Sequence, residues 1–399
     1  MSIDQKTSRI SRLARDLRPS GIREFFDLVV GMDDVISLGV GEPDFPTPWR
    51  ACDAVIESLR HGATSYTSNR GMIELRIEIA AYLKRKFGVS YDPEDQILIT
   101  VGASEAVDLA MRALLDPGDE FLVTDPSYVS YAPCVEMAHG RAVAVRTYLE
   151  DKFRIQPGPL TDACSERTRG LLFCNPSNPT GAVMRREHLE EVAEVAHKQD
   201  LLVISDEIYA ELTYEGDHCS FPSLPDMYER TLLLNGFSKA DAMTGWRVGY
   251  ACGPADIIEA MTRMHAYTTM CVPIMGQLAA LEALRRGEDD RARMVAEYDQ
   301  RRRVFVNGLN RIGLDCFEPM GAFYAFPSIA HTGLNCQQFA RALLNDQRVA
   351  VVPGDAFGEA GEGHVRCSYA SSISDLREAL ARMETFLARL EAGEVAVDQ

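Results

Sequence analysis

Polar and charged residues follow several short apolar runs of this 399-residue chain, at the points where the runs end. Lys239 follows one such run, next to Ser238 and eight residues before Arg247. A lysine in this setting could form a Schiff base with a carbonyl compound if neighbouring positive charge lowered its pKa. An ordinary exposed lysine is the alternative interpretation of the same residue.

A carboxylate and a phenol end another run, LLVIS. Asp206 would be costly to bury without a cationic partner, and a protonated pyridine nitrogen would be such a partner. The alternative is an aspartate that caps a following turn or helix. Tyr209 would lie on the same side if the chain turns helical after Asp206, although a plain core tyrosine fits it equally well.

Three further features could bind parts of a small molecule. Gly102, Ala103 and Ser104 open an amphipathic segment, and free N–H groups at a helix start suit a phosphate. A simple helix N-cap would look the same. Tyr128 could stack on a flat heteroaromatic ring, and Arg366 has the planar fork that suits a carboxylate, although a surface salt bridge would also explain an arginine.

The elements that must position these residues follow an alternating pattern. From about Asp95, apolar runs of about four to six residues alternate with helical periods, which predicts βα units and a mostly parallel sheet covered on both faces. In such an α/β fold, ligands bind beyond the carboxyl ends of the strands. After Pro273, two long helices, short strand-like pieces and a closing helix predict a second, smaller α+β domain.

Composition excludes several classes of protein. Hydrophobic residues make up 46% and charged residues 25% of the chain, which is typical of a globular protein. The net charge of -18 disfavours nucleic acid as a main partner. The ten cysteines are scattered without metal-ligand spacing, so we expect reduced thiols in a cytoplasmic protein and no metal site. We find no secretion signal and no membrane span.

The order and spacing of six motifs are far more specific than any single residue. NPSNPTG (175–181), SDEIYAELTY (205–214), GFSKADAMTGWRVGY (236–250) and VRCSYA (365–370) occur together with LGVGEPDF (38–45) and YTSNRG (66–71). From about Gly21 to the closing helix, the chain resembles the fold type I, pyridoxal 5'-phosphate-dependent aminotransferases of class I/II. The phrases GIREFFDL, MTGWRVGY, GAFYAFP and VAVVPGDAFG most resemble the prokaryotic branch with aromatic-amino-acid and broad-range members.

This resemblance implies a particular architecture. A large domain over 47–292 would contain a mostly parallel, seven-stranded-type sheet covered by helices and would bind the cofactor. A smaller α+β domain would combine 1–46 with 293–399, and the N-terminal part of that assignment rests on the resemblance alone. The resemblance also implies a homodimer with composite active sites.

The same motifs imply roles at the reacting end of the cofactor. Lys239 would hold the cofactor as a Schiff base and move the proton at the substrate α-carbon. Asp206 would keep the pyridine nitrogen protonated, which makes the ring an electron sink. Asn178 and Tyr209 would hydrogen-bond the ring oxygen, and Tyr128 would stack on the ring.

The resemblance implies two further sets of contacts. The phosphate would be bound by residues of two loops and by a tyrosine from the partner subunit: Gly102, Ala103, Ser104, Ser238, Arg247 and Tyr66. The substrate α-carboxylate would be bound by Arg366, assisted by Asn178 and the backbone of Gly39.

Two departures from the family pattern bear on these roles. Gly236 stands where many relatives have serine, so one phosphate hydrogen bond is expected to be absent. Ser104 stands where some aspartate-preferring relatives have a lysine that meets the distal carboxylate. The sequence therefore favours an aromatic or large apolar L-amino acid over aspartate as the donor, with a 2-oxo acid such as 2-oxoglutarate as the acceptor, through pyridoxamine phosphate.

Three alternatives remain beside this interpretation. A carbon–sulfur lyase would share the same cofactor residues, and an aminotransferase specific for aspartate or for an acylated diamino acid would differ only in its side-chain pocket. A transcription regulator with an aminotransferase-like sensor domain would need an added DNA-binding domain, whereas only about twenty residues precede Gly21.

Overall fold

The computed structural model describes residues 9–17, 21 and 31–397. The predictions that fall on 1–8, 18–20, 22–30 and 398–399, including most of the phrase GIREFFDL, lie outside the described residues. Among the described helices, none is both long and apolar enough to cross a bilayer.

The predicted seven-stranded sheet is present. Its strands are β2 (Ile97–Thr100), β3 (Glu120–Asp125), β4 (Arg141–Arg146), β5 (Thr168–Cys174), β6 (Leu202–Asp206), β7 (Thr231–Gly236) and β8 (Gly249–Cys252). Their spatial order is β2-β8-β7-β6-β5-β3-β4. All neighbours pair in parallel except β8, which is antiparallel to both β2 and β7.

Apolar side chains on both faces explain why the strands appear as continuous apolar runs. Successive residues of a strand point to opposite faces. Ile97 and Ile99 of β2 therefore pack into one core, whereas Leu98 packs into the other. Helices cover both faces, as expected for a mainly parallel sheet.

The helices of the described residues are α1 (Arg12–Asp16), α2 (Trp49–Arg60), α3 (Ile73–Phe87), α4 (Gly102–Leu114), α5 (Tyr131–Met137), α6 (Pro157–Asp162), α7 (Arg186–Lys198), α8 (Ala255–Thr268), α9 (Ile274–Arg286), α10 (Glu288–Arg311), α11 (Cys336–Gln347) and α12 (Ile373–Glu391). Helix α9 packs on α2 and α3, and α4 packs on α8. The two long helices predicted around Gly287 are α9 and α10. The closing helix α12 begins where the Ser372 side chain accepts a hydrogen bond from the Asp375 amide.

The remaining strands are short and lie near the C-terminal helices. They are β1 (Ile36–Ser37), β9 (Tyr324–Ala325), β10 (Val349–Ala350), β11 (Val352–Pro353) and β12 (Val365–Ser368). Strands β11, β12 and β9 form an antiparallel sheet, and β1 pairs in parallel with β10. The β1–β10 pair supports our proposal that 1–46 joins 293–399 in the smaller domain, beside a large domain over 47–292.

Candidate active site

A cavity of about 710 Å³ opens beyond the carboxyl ends of the parallel strands. It brings together ten of the residues singled out in the sequence, which come from widely separated segments: Ala103, Ser104, Tyr128, Asn178, Asp206, Tyr209, Ser238, Lys239, Arg247 and Arg366. The strand ends explain this convergence, because β5, β6 and β7 lie side by side and deliver their following loops to one edge.

Three predicted residues stand outside the cavity lining. Gly102 lies behind the guanidinium of Arg247, and the Gly39 carbonyl accepts a hydrogen bond from Arg366 at 2.6 Å. Tyr66 is 83% exposed and contributes nothing to the cavity of its own chain.

Lys239 is the potential nucleophile and base of the cavity. Its Nζ donates to the Gly41 carbonyl at 2.6 Å. Burial lowers the pKa of Lys239 to about 8, and the positive charges of Arg366 and Arg247 act in the same direction. A lysine with a lowered pKa offers its unprotonated, nucleophilic amine more readily than an ordinary exposed lysine.

Asp206 lies at the end of β6 and is only 5% exposed. Burial raises the pKa of Asp206 to about 6, while hydrogen bonds from Tyr131 and from the Ile208 amide act against the rise. Asp206 Oδ1 also accepts a hydrogen bond from the Ile208 backbone N–H at 3.1 Å. Asp206 therefore caps the following turn as well, as the alternative interpretation of this residue predicts. A carboxylate with so little water would gain from a cationic partner in the cavity.

Arg366 of β12 is 2% exposed. Its Nη1 donates to Asn178 Oδ1 at 2.9 Å, and the guanidinium carbon lies 4.4 Å and 4.7 Å from the ring centroids of Tyr324 and Phe357. The buried Nε has no hydrogen-bond partner within the described ranges. This guanidinium is therefore held rigidly with donors to spare, which suits a planar carboxylate.

The start of helix α4 forms the opposite, electropositive end of the site. Gly102 has φ +73°, and a Cβ on it would lie 2.7 Å from Arg247 Nη2. Only glycine therefore allows the helix start and the arginine to approach this closely. Gly236 is equally confined, because a Cβ there would lie 2.9 Å from the Cα of its strand partner Gly249.

The sequence analysis did not assign two tyrosines that line the site, Tyr324 and Tyr131. The hydroxyl of Tyr324 lies 2.9 Å from the hydroxyl of Tyr209. Burial raises the pKa of both phenols. Tyr131 also lines the cavity and bonds Asp206. The available signal for Tyr131 was its spacing, since it follows Tyr128 by three residues at the start of a predicted helix.

These residues fit the cofactor that the motifs imply. The Gly102–Arg247 cradle would accept a phosphate, buried Asp206 would face a protonated ring nitrogen, and Lys239 would reach a carbonyl carbon. The spare donors of Arg366 lie in the same cavity. The donor set therefore matches a phosphorylated pyridine aldehyde together with a carboxylate substrate.

Comparisons with known proteins bear on the family to which this chain belongs. The sequence profile of the family described as "Aminotransferase class I and II" matches residues 33–383. An aspartate aminotransferase of Pyrococcus abyssi is 45% identical over 374 residues, which cover 93% of this chain and 96% of that protein. The aromatic-amino-acid aminotransferase 2 of Thermococcus litoralis is 43% identical over 377 residues, with coverages of 93% and 96%. The crystal structure of an aromatic aminotransferase from Pyrococcus horikoshii superposes with a TM-score of 0.88 at 44% identity, over 94% of this chain and all (100%) of that one.

Proposed function

Because this chain belongs to the aminotransferases of class I and II, which use pyridoxal 5'-phosphate, we propose that it moves the amino group of an aromatic or large apolar L-amino acid to a 2-oxo acid. The observation that carries this proposal is the convergence of Lys239, Asp206 and Arg366 on one cavity. The choice of 2-oxoglutarate as the acceptor rests on analogy alone.

In this proposal, each of the main cavity residues has a separate role in the reaction. When bound, pyridoxal 5'-phosphate supplies the electron sink that stabilises negative charge at the substrate α-carbon. Arg366 binds the substrate α-carboxylate, with Asn178 and the Gly39 carbonyl holding its orientation. Lys239 Nζ, with its pKa lowered to about 8, would take the proton from the α-carbon of the amino donor and transfer it to the cofactor, and would carry a proton in the opposite direction to the α-carbon of the 2-oxo acid in the second half-reaction. Asp206 holds a proton on the ring nitrogen through an ion pair.

The charges that line the cavity support an apolar substrate side chain. Among the described residues, three cations line the cavity, Lys239, Arg247 and Arg366, and each already has a role above. Ser104 occupies the position at which some aspartate-preferring relatives have a further cation, a lysine. The carboxylate of Glu42 also lines the cavity. Within the described part of the chain, a distal carboxylate on the donor would therefore lack a cation of its own, whereas burial of an apolar side chain contributes about 1.5–3 kcal/mol. Branched aliphatic residues of the described lining are available for this contact: Val40, Val107, Val129 and Ile208.

A homodimer would complete the phosphate site. Tyr66 is 83% exposed, and Tyr267 and Met270, at the end of α8 and just beyond it, are 93% and 47% exposed. Gln277 links the segment of Tyr66 to the start of α9, because its Nε2 donates to Thr67 Oγ1 at 2.9 Å. We propose that this surface packs against a second copy and that Tyr66 enters the neighbouring phosphate site.

The cysteines support the proposed cytoplasmic location. All ten are free thiols, and six of them are buried. Buried free thiols are typical of proteins that work in a reducing compartment.

A panel of half-reactions tests the proposed function. The purified enzyme is mixed with each of twenty amino acids, and conversion of the bound cofactor to its amine form is followed by absorbance. Phenylalanine, tyrosine or tryptophan should exceed aspartate and alanine in kcat/KM. A tenfold advantage of aspartate, equivalent to about 1.4 kcal/mol, would contradict the apolar pocket. Steady release of pyruvate and ammonia from cystathionine would instead identify a carbon–sulfur lyase.

A further inference from the structure

Tyr131 makes a hydrogen bond to the carboxylate at the centre of the site. It begins helix α5, is fully buried, and donates its hydroxyl proton to Asp206 Oδ2 at 2.6 Å. The other carboxylate oxygen, Oδ1, accepts the Ile208 amide at 3.1 Å. Among the residues that the structure describes, each oxygen of Asp206 is therefore oriented by one hydrogen-bond donor, and only the Tyr131 donor comes from outside the turn that follows β6.

The position of the Tyr131 ring is set by its neighbours. Its ring packs edge-on against Tyr128, with the centroids 5.5 Å apart and an interplanar angle of 80°. Burial raises the pKa of Tyr131 well above its ordinary value, so the phenol keeps its proton and remains a donor. The hydroxyl is thus a fixed, permanently protonated group beside a carboxylate whose ionisation must be maintained.

The surroundings of Asp206 make this donor important. Burial and the adjacent carboxylate of Glu207 raise the pKa of Asp206, whereas Tyr131, the Ile208 amide and the charge of Lys239 lower it. Cys174 on the neighbouring strand β5 also faces Asp206, and burial raises the pKa of its thiol, so it adds no charge there. Without the phenol, burial would act with less opposition and the protonated form of Asp206 would be favoured.

We propose that Tyr131 is a positioning residue that keeps Asp206 ionised and aimed at the ring nitrogen of the cofactor. This inference rests on the proposed role of Asp206. In this proposal Tyr131 acts through Asp206 and not on the reacting carbon. Its contribution is to the strength of one contact, between a carboxylate and a pyridine nitrogen.

Cofactor affinity provides a direct test. The apoprotein is titrated at neutral pH with pyridoxal 5'-phosphate and with an analogue in which a C–H group replaces the ring nitrogen, and the ratio of the two affinities is measured. The wild type should prefer the nitrogen-containing compound. In Tyr131→Phe this preference should fall by about tenfold, because one charge-assisted hydrogen bond to Asp206 is lost, while affinity for the analogue stays within about twofold.

The chain offers a closely matched control. Tyr82 is also buried and its hydroxyl also donates to a carboxylate, Glu211 Oε1, at 2.6 Å, outside the cavity. Tyr82→Phe should leave the affinity ratio unchanged. Asp206→Asn should abolish the preference, and adding Tyr131→Phe to it should change the ratio no further, since the two residues act through one contact.

The outcomes separate this inference from the proposed function. A wild type without preference for the nitrogen-containing compound would refute the role of Asp206 and, with it, that of Tyr131. A wild type with the preference, together with Tyr131→Phe that keeps it, would refute the positioning role alone. Equal losses of affinity for both compounds in Tyr131→Phe would show a merely structural role and would also overturn the inference.

Discussion

Replacing Arg366 tests how the site recognises an amino acid. The guanidinium is held by Asn178 Oδ1 at 2.9 Å and by the Gly39 carbonyl at 2.6 Å, between the rings of Tyr324 and Phe357. With two of its five N–H groups engaged in these bonds, the remaining donors are available to a carboxylate. Arg366→Gln removes the charge and the fork, and Arg366→Lys keeps the charge but offers a single point of contact.

The size of the effect follows from these contacts. A hydrogen bond to a charged group contributes about 1.5–3 kcal/mol, and a bidentate carboxylate contact makes two. Loss of both should lower kcat/KM of Arg366→Gln by roughly 10² to 10⁴. Arg366→Lys should lose about 10 to 10² because one charged contact remains.

Two substrates separate recognition of the carboxylate from other effects. Phenylalanine carries the α-carboxylate, and phenethylamine is the same molecule without it. Arg366 also lowers the pKa of Lys239, so Arg366→Gln should raise that pKa from about 8 and move the acid limb of the pH–rate profile to higher pH. That shift affects both substrates equally, and the ratio of their pH-independent rates therefore reports the carboxylate contact alone.

The wild type should prefer phenylalanine strongly, and Arg366→Gln should lose most of that preference. A matched control is Arg301→Gln, because Arg301 is also a buried arginine that stacks on aromatic rings, those of Phe45 and Tyr298, outside the cavity. Its replacement should leave the substrate ratio unchanged. If Arg366→Gln slowed both substrates by the same factor, carboxylate recognition by Arg366 would be wrong.

Three further changes probe other parts of the site. Lys239→Ala should still bind cofactor yet lose turnover by at least about 10² to 10⁴, and borohydride reduction followed by peptide mapping should label Lys239 alone in the wild type. Asp206→Asn should lose turnover far more than cofactor affinity. Because burial raises the pKa of Asp206 to about 6, its ionisation progressively destabilises the apoprotein as the pH rises from about 4 to about 6. The variant should therefore have a higher apoprotein Tm at neutral pH but no advantage below about pH 4. Inactive Lys239→Ala chains mixed with Tyr66→Phe chains should regain activity, since each hybrid dimer would contain one intact composite site; absence of recovery would contradict the proposed dimer.

The sheet was largely predictable because most of its strands are buried on both faces. Strands such as β7, in which every residue is buried, appear in the sequence as continuous apolar runs. The exception is β4 at the sheet edge, where Val145 is the sole fully buried residue of Arg141–Arg146. Its short apolar run AVAV lies between two exposed arginines, Arg141 and Arg146, which suits a half-exposed edge strand, and the sequence analysis did not assign a strand to it.

The site was predictable where a functional residue ends a strand. Lys239 and Asp206 come directly after or at the end of apolar runs, and the parallel sheet brings those ends together. Tyr131 and Tyr324 were missed for a physical reason. A buried tyrosine with a hydrogen-bonded hydroxyl has the same sequence signature as a core aromatic residue, and the partner of Tyr131 lies 75 residues away in the chain.

The hydrogen bond between Lys239 and the Gly41 carbonyl joins two loops whose contact cannot be predicted from the sequence motif of either loop. Helix α10 places two arginines about 15 Å apart along its axis. Arg291 bonds Asp241, two residues after Lys239, with Nη2 at 2.9 Å, and Arg301 bonds Asp44, three residues after Gly41, at 2.7 Å. One rigid helix thus holds both loops, and the distance between them depends on a segment some fifty residues or more from either. Neither loop carries a pattern that reveals the other, because the ion pairs that tie each loop to α10 join segments far apart in the chain.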